Sequence, residues 1–125
     1  VNAMLRAQNG YLDGAHPIRT DRDNEYSAFA QITHRMKSAS ARGKDGFSDL
    51  VEAVYHNRRL WTILATDLAD ANNGLPKDLR ARLLYLAKFT RHHSSQVLAG
   101  RASVEALVEV NSIVMGGLRD RKVQS

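Results

Sequence analysis

Apolar side chains recur every third or fourth position in four separate stretches of this 125-residue chain, and nowhere do they alternate over the length of a strand. A period near 3.6 buries one stripe of a helix, whereas a period of two buries one face of a sheet. The pattern therefore predicts an all-α protein. In the first stretch the stripe is Tyr26, Phe29, Thr33, Met36 and Ser40. In the second, Leu50, Val54, Asn57, Trp61, Leu64 and Leu68 fall within about 80° of arc at about 100° per residue. Leu79, Leu83, Leu86, Thr90, His93 and Val97 make the third stripe, and Val104, Leu107, Val108, Asn111, Met115 and Leu118 the fourth.

Local signals separate these stretches. Thr20 is a suitable N-cap, and Asp21 and Asp23 complement the positive end of a first helix. Arg42 to Gly46 reads as a loop and Phe47 to Ala69 as a second helix. Asn73-Gly74 reads as a C-terminal capping region. Pro76 is expected as the first residue of the third helix, where its missing N–H has no partner anyway. Gly100 closes that helix, and the fourth starts after Ser103. Residues 1–19, broken by Gly10, Gly14 and Pro17, read as an irregular N-terminal tail. Residues 20–125 read as one domain, a small four-helix bundle with antiparallel neighbours.

Composition narrows the function. The chain has no cysteine, which removes disulfides, thiolate zinc sites and cysteine nucleophiles. No apolar run approaches the ~20 residues of a membrane span, and no apolar signal segment opens the chain. The expectation is a soluble, cytoplasmic protein. The formal charge of +5 permits an acidic partner or nucleic acid. However, Arg58, Arg59, Arg80, Arg82, Lys88 and Arg91 read as projecting in different directions, so direct nucleic-acid binding is not expected.

Nothing points to catalysis. There is no Gly-rich phosphate loop, no His pair on a Glu-bearing helix and no nucleophile elbow. His92 and His93 are sequence neighbours, so they point about 100° apart and cannot jointly grip a metal from one helix. Asp70, Asn72 and Asn73 are calcium-loop-like, but the glycine comes one residue early and no glutamate closes the set. The chain is therefore not expected to be an enzyme, to bind a metal or to carry a cofactor.

Two features invite a closer reading. Asn57 and Asn111 each sit near the middle of an apolar stripe, and a buried amide left unpaired costs about 1–3 kcal/mol. The preferred reading is that they satisfy each other or nearby backbone and set the register of the second and fourth helices. The other is that they bond a partner helix. The second feature is surplus apolar surface. Off the main stripes lie Leu60 and Ile63, Tyr85 and Phe89, and Val110 and Ile113. Either these helices are surrounded on several sides or the molecule exposes an apolar groove, as a protein that binds an amphipathic helix would. Trp61, central on its stripe, reads as a structural anchor.

The string from Ala53 to Trp61, with its aromatic Tyr55 two residues before Arg58-Arg59-Leu60-Trp61, resembles the signature of the FlaF family. Leu64, Asp67 and Leu68 continue it, followed by the Asn73-Gly74-Leu75-Pro76 turn and Leu79-Arg80-Ala81. Leu107 to Asn111, Ile113 and Gly117-Leu118 are similar to the closing motif of the family. Arg22, Glu25-Tyr26, Phe29 and Thr33 match more loosely, so the resemblance covers about residues 20–118. It implies a cytoplasmic regulator of flagellum assembly that binds flagellin, promotes its synthesis and secretion, and is linked to a second regulator, FlbT, acting on flagellin messenger RNA. The six off-stripe residues are the expected partner-binding set, with Asn57, Arg58, Arg59, Trp61, Asn111 and Leu118 as motif positions. A direct RNA-binding regulator and a self-associating helical module that forms a homodimer are the alternatives.

Overall fold

Each apolar stripe forms a helix. A computed structural model describes the backbone of residues 21–124 and the side chains of residues 24–117. Within it lie α1 (Asp21–Ala41), α2 (Phe47–Ala69), α3 (Lys77–Leu98) and α4 (Glu105–Gln124), and no strand is found among the described residues. The expected tail, the Thr20 cap, the Asp21 and Asp23 side chains and the side chain of Leu118 lie outside what is described.

The connections are short and each has a local cause. After α1 the expected loop tightens into a 3₁₀ turn over Gly43–Gly46. Gly43 reverses the chain at φ +61°, a conformation that favours glycine. Gly46 is buried, and a Cβ there would collide with the Ala39 carbonyl, so this corner closes tightly only with glycine. Arg42 and Asp49 pair across the same corner. At the end of α2, Asp70 turns extended and Gly74 does not adopt a positive φ. The cap is instead the Asn73 side chain, which donates to the Asp67 carbonyl at 3.2 Å and accepts the Leu75 amide at 3.0 Å.

Pro76 corrects the sequence expectation by one residue. Its ψ of 144° is extended, so it stands just outside α3, and its carbonyl receives the Arg80 amide at 3.0 Å. At the other end Gly100, at φ +75°, donates to Val97 while Arg101 donates to Gln96, the paired bonds of a Schellman motif. Ser103 then opens α4 by accepting the Glu105 amide at 3.1 Å.

The four helices form a ring. α1 packs on α2 and α4, α2 packs on α3, and α3 and α4 touch least. Two apolar clusters fill the centre. One holds Phe29, Leu60, Trp61, Ala87 and Val110, with Phe29 edge-on to Trp61 at 5.6 Å between ring centres. The other holds Met36, Ala53, Val54, Val97, Val104 and Leu107. Burying each large side chain contributes roughly 1.5–3 kcal/mol before chain entropy is counted. In α1 the stripe drifts from its expected line. Tyr26 and Ser40 are exposed, and Asn24 and Ala39 are buried instead.

Between the two clusters lies a polar layer to which every helix contributes. Thr33 falls between Phe29 and Met36, Asn57 between Val54 and Trp61, Thr90 and Ser94 between Ala87 and Val97, and Asn111 between Leu107 and the end of α4. All are buried. The Asn111 amide donates to Asn57 Oδ1 at 2.7 Å and to Thr33 Oγ1 at 3.0 Å, and its oxygen accepts Trp61 Nε1–H at 2.9 Å. The two asparagines thus bond each other, the preferred reading of the sequence, although Asn57 Nδ2 finds no partner among the described residues, and they join α2 and α4 across the diagonal of the ring.

Candidate partner-binding surface

Residues about 100° apart on a helix leave the core on opposite flanks, so the flanks locate the surplus apolar residues. On α2, Arg58 donates to Ser95 of α3 at 3.4 Å, while His56 accepts from Arg35 of α1 at 3.0 Å. The Arg58 flank therefore faces α3 and the His56 flank faces α1. Ile63 lies about 120° from Asn57 on the His56 flank and is half-buried there. On α3, Ser95 marks the α2 flank, so Tyr85, Phe89 and His93 occupy the flank toward α4. The 2.9 Å bond from His93 Nε2 to the Ser103 carbonyl agrees with that. Because a carbonyl only accepts, Nε2 carries the hydrogen.

α4 runs parallel to α2, so its α3-facing flank is the one that carries Val110, Ile113 and Gly117. Four of the six expected residues, Tyr85, Phe89, Val110 and Ile113, thus line a single α3–α4 seam. They differ sharply in exposure. Tyr85 is 70% exposed and Ile113 60% exposed. Phe89 is half-buried, packed against the core and stacked on the His93 ring at 5.3 Å. Val110 is buried within the first apolar cluster.

Two expectations are corrected here. Leu60 and Val110 are core residues, 4% and 8% exposed, and neither is open to a partner. Both sit at the shoulder of their helix, where a ring of four helices buries more than the single stripe that a two-layer picture allows. The remaining surplus is real and local. Near the free end of the seam Gly117 presents no side chain, and a Cβ there would meet nothing within 4 Å. Half-buried Leu86, Val114 and Met115 back the same end. The seam is thus a shallow apolar strip, with Tyr85 on one rim and Ile113 on the other.

The motif residues divide between core and surface. Asn57, Trp61 and Asn111 belong to the buried layer, each at most 1% exposed. Arg59 is exposed and Arg58 bridges to α3. Sequence reasoning missed Thr33, Thr90 and Ser94 as polar-layer members. Thr33 and Thr90 read simply as members of their apolar stripes, although a hydroxyl on a core stripe is itself a signal. It also did not separate Phe47 and Tyr55, which are 49% and 58% exposed. Among the described residues no three His, Asp or Glu side chains come together as a metal site would require. No described helix is long and apolar enough to cross a membrane. A family model described as flagellar protein FlaF matches residues 7–118. No curated protein and no solved structure matches the chain.

Proposed function

The chain belongs to the FlaF family of flagellar proteins, and from that premise we propose that it serves flagellum assembly as a cytoplasmic adaptor without catalytic activity. In this reading it binds flagellin, holds it for export and so promotes flagellin synthesis and secretion, with an FlbT-type regulator as a second partner. The observation that carries the reading is the α3–α4 seam, where Tyr85 and Ile113 stand exposed above a strip of half-buried apolar residues. An unassembled filament subunit with amphipathic terminal helices needs its apolar faces covered, and a helix laid along such a strip covers them. Binding would be led by the apolar rims rather than by peripheral charge.

The test is co-elution of the purified chain with flagellin in size-exclusion chromatography. Tyr85→Asp and Ile113→Asp place a charge on each rim at exposed positions, so helicity by circular dichroism should be unchanged. Each is expected to weaken the complex at least tenfold. Phe89→Asp is a poorer probe, because Phe89 also packs on the core and on His93. Full flagellin binding by both rim variants would sink the seam as the docking site. Absence of a complex with the unaltered chain would sink the adaptor role itself. Self-association through the same seam would appear in light scattering as a dimer that both rim variants dissolve.

A further inference from the structure

The basic residues that look scattered along the sequence converge in three dimensions. On α2, Tyr55, Arg58 and Arg59 lie about 100–200° from the core-facing Asn57. On α3, Lys88 and Arg91 lie about 100–160° from the buried Thr90, on the flank that meets α2. One chain of contacts ties the two sets together. Arg58 reaches Ser95 Oγ at 3.4 Å, and that hydroxyl donates to the Arg91 carbonyl at 3.3 Å. Arg82 is excluded, since it points toward α4, and Arg80 is drawn to the Asp70 carbonyl at the loop.

Of the four acids on these helices, Asp49, Asp67 and Asp78 turn away from this face. Asp49 pairs with Arg42 on the α1 side of α2, while Glu52 lies within about 20° of the line of Arg59, two turns away, and is engaged by Arg35 of α1 at 3.7 Å. Asp67 accepts the Asn73 amide on the same side as Asp49. Asp78, the one acid of α3, sits on the α4 flank. Neither Arg59, Lys88 nor Arg91 meets a carboxylate among the described residues. Among the described residues the result is a face with four cations and one exposed tyrosine ring, bordered by a single carboxylate, Glu52, that Arg35 engages, and separate from the apolar α3–α4 seam.

We infer that this α2–α3 face binds the backbone of a single-stranded nucleic acid, with Arg58, Arg59, Lys88 and Arg91 on phosphates and Tyr55 stacking on a base. Arginine suits phosphate because its planar fork donates two parallel bonds. An exposed aromatic beside a cationic track is the arrangement that holds single strands without reading their sequence. An acidic protein segment is the competing occupant. It is disfavoured because protein interfaces are led by clustered apolar anchors, and besides Tyr55 this face offers Leu84 but no such cluster, whereas Tyr85 and Ile113 lie on the other seam. The inference rests on charge placement and stands or falls apart from the flagellin reading.

The test is fluorescence anisotropy of the full chain with a labelled 12-residue oligo-uridine RNA, its oligo-thymidine DNA counterpart and a 12-residue polyglutamate peptide. Single strands lose affinity with a slope of about −0.7 per phosphate neutralised, so four cations give a slope near −3 and roughly 50-fold weaker binding from 50 to 200 mM salt. Arg59→Gln with Arg91→Gln should make that slope shallower by about 1.4. Lys37→Gln with Lys44→Gln removes the same net charge from exposed sites on α1 and the α1–α2 corner, outside this face, and should leave the slope unchanged. Tyr55→Ala should cost about tenfold at constant slope, because stacking is not salt-dependent in this way. Binding of either nucleic acid with this pattern supports the inference, and the tighter of the two identifies the source. It is overturned by no binding of either strand at 20 mM salt, by polyglutamate binding as tightly as the strands, by equal effects of the two charge-removing pairs, or by indifference to Tyr55.

Discussion

The buried polar layer and the α3–α4 seam meet at α4, yet they use their residues in opposite ways. In the layer, Asn111 spends its amide on three partners at once and joins three helices. In the seam, two positions along, Ile113 is 60% exposed with no helix over it. Polar groups have been placed where burial makes them costly, and apolar groups where water makes them costly. The first arrangement is stable only if the amides are paired, and it then specifies one register, because a slip of α2 against α4 would break Asn57 from Asn111. The second arrangement is tolerable on a stable bundle and useful only if something else covers the seam. The layer therefore sets which helices face inward, and the seam is what remains for a partner.

Substitutions on α4 sharpen that contrast. Val110 and Ile113 share a flank but not an environment, so the same change should separate them. Val110→Asp buries an uncompensated carboxylate and should cost about 3–4 kcal/mol in urea unfolding, a large share of a small domain's stability. A cost under about 1 kcal/mol would mean that α4 is not seated at Val110 and the ring is open there. Asn111→Ala comes next. It leaves Trp61 Nε1–H, Thr33 and Asn57 without their buried partner and should cost about 3 kcal/mol. Full stability in that variant would show that water replaces the amide and that the layer does not set register.

Smaller effects test the margins of the layer. The Thr90 hydroxyl and the Asn57 Nδ2 are buried without a partner among the described residues. Thr90→Val removes one such group with little change of shape and should raise stability by up to about 1 kcal/mol. A loss of stability would place a hydrogen-bonded water beside Thr90. The smallest effect belongs to the seam. Ile113→Asp should change unfolding stability by no more than about 0.5 kcal/mol, as exposed positions do, while it disrupts partner binding.

The periodicity of the sequence determined the four helices of the described residues, their approximate limits and the short antiparallel connections. These depend on 3.6-residue repeats and on local devices such as the left-handed Gly100 and the Ser103 cap, which act within a few residues of themselves. Phe47 to Ala69 was legible to the residue for that reason, and Pro76 missed by one because a single ψ angle decides it. Asn57 and Asn111 were also visible as polar interruptions. Three matters needed the tertiary structure. The helix ring decided that Leu60 and Val110 are buried while Tyr85 and Ile113 are not, since residues at the shoulder of a stripe are covered or bare according to the neighbour beside them. It drew Thr33 of α1, Asn57 of α2 and Asn111 of α4 into one network across up to 78 positions of chain. Finally, the flank each helix turns to its neighbour gathered Arg58, Arg59, Lys88 and Arg91 onto one face. Charge spacing along a chain does not say which sides of two helices lie together, and only packing does.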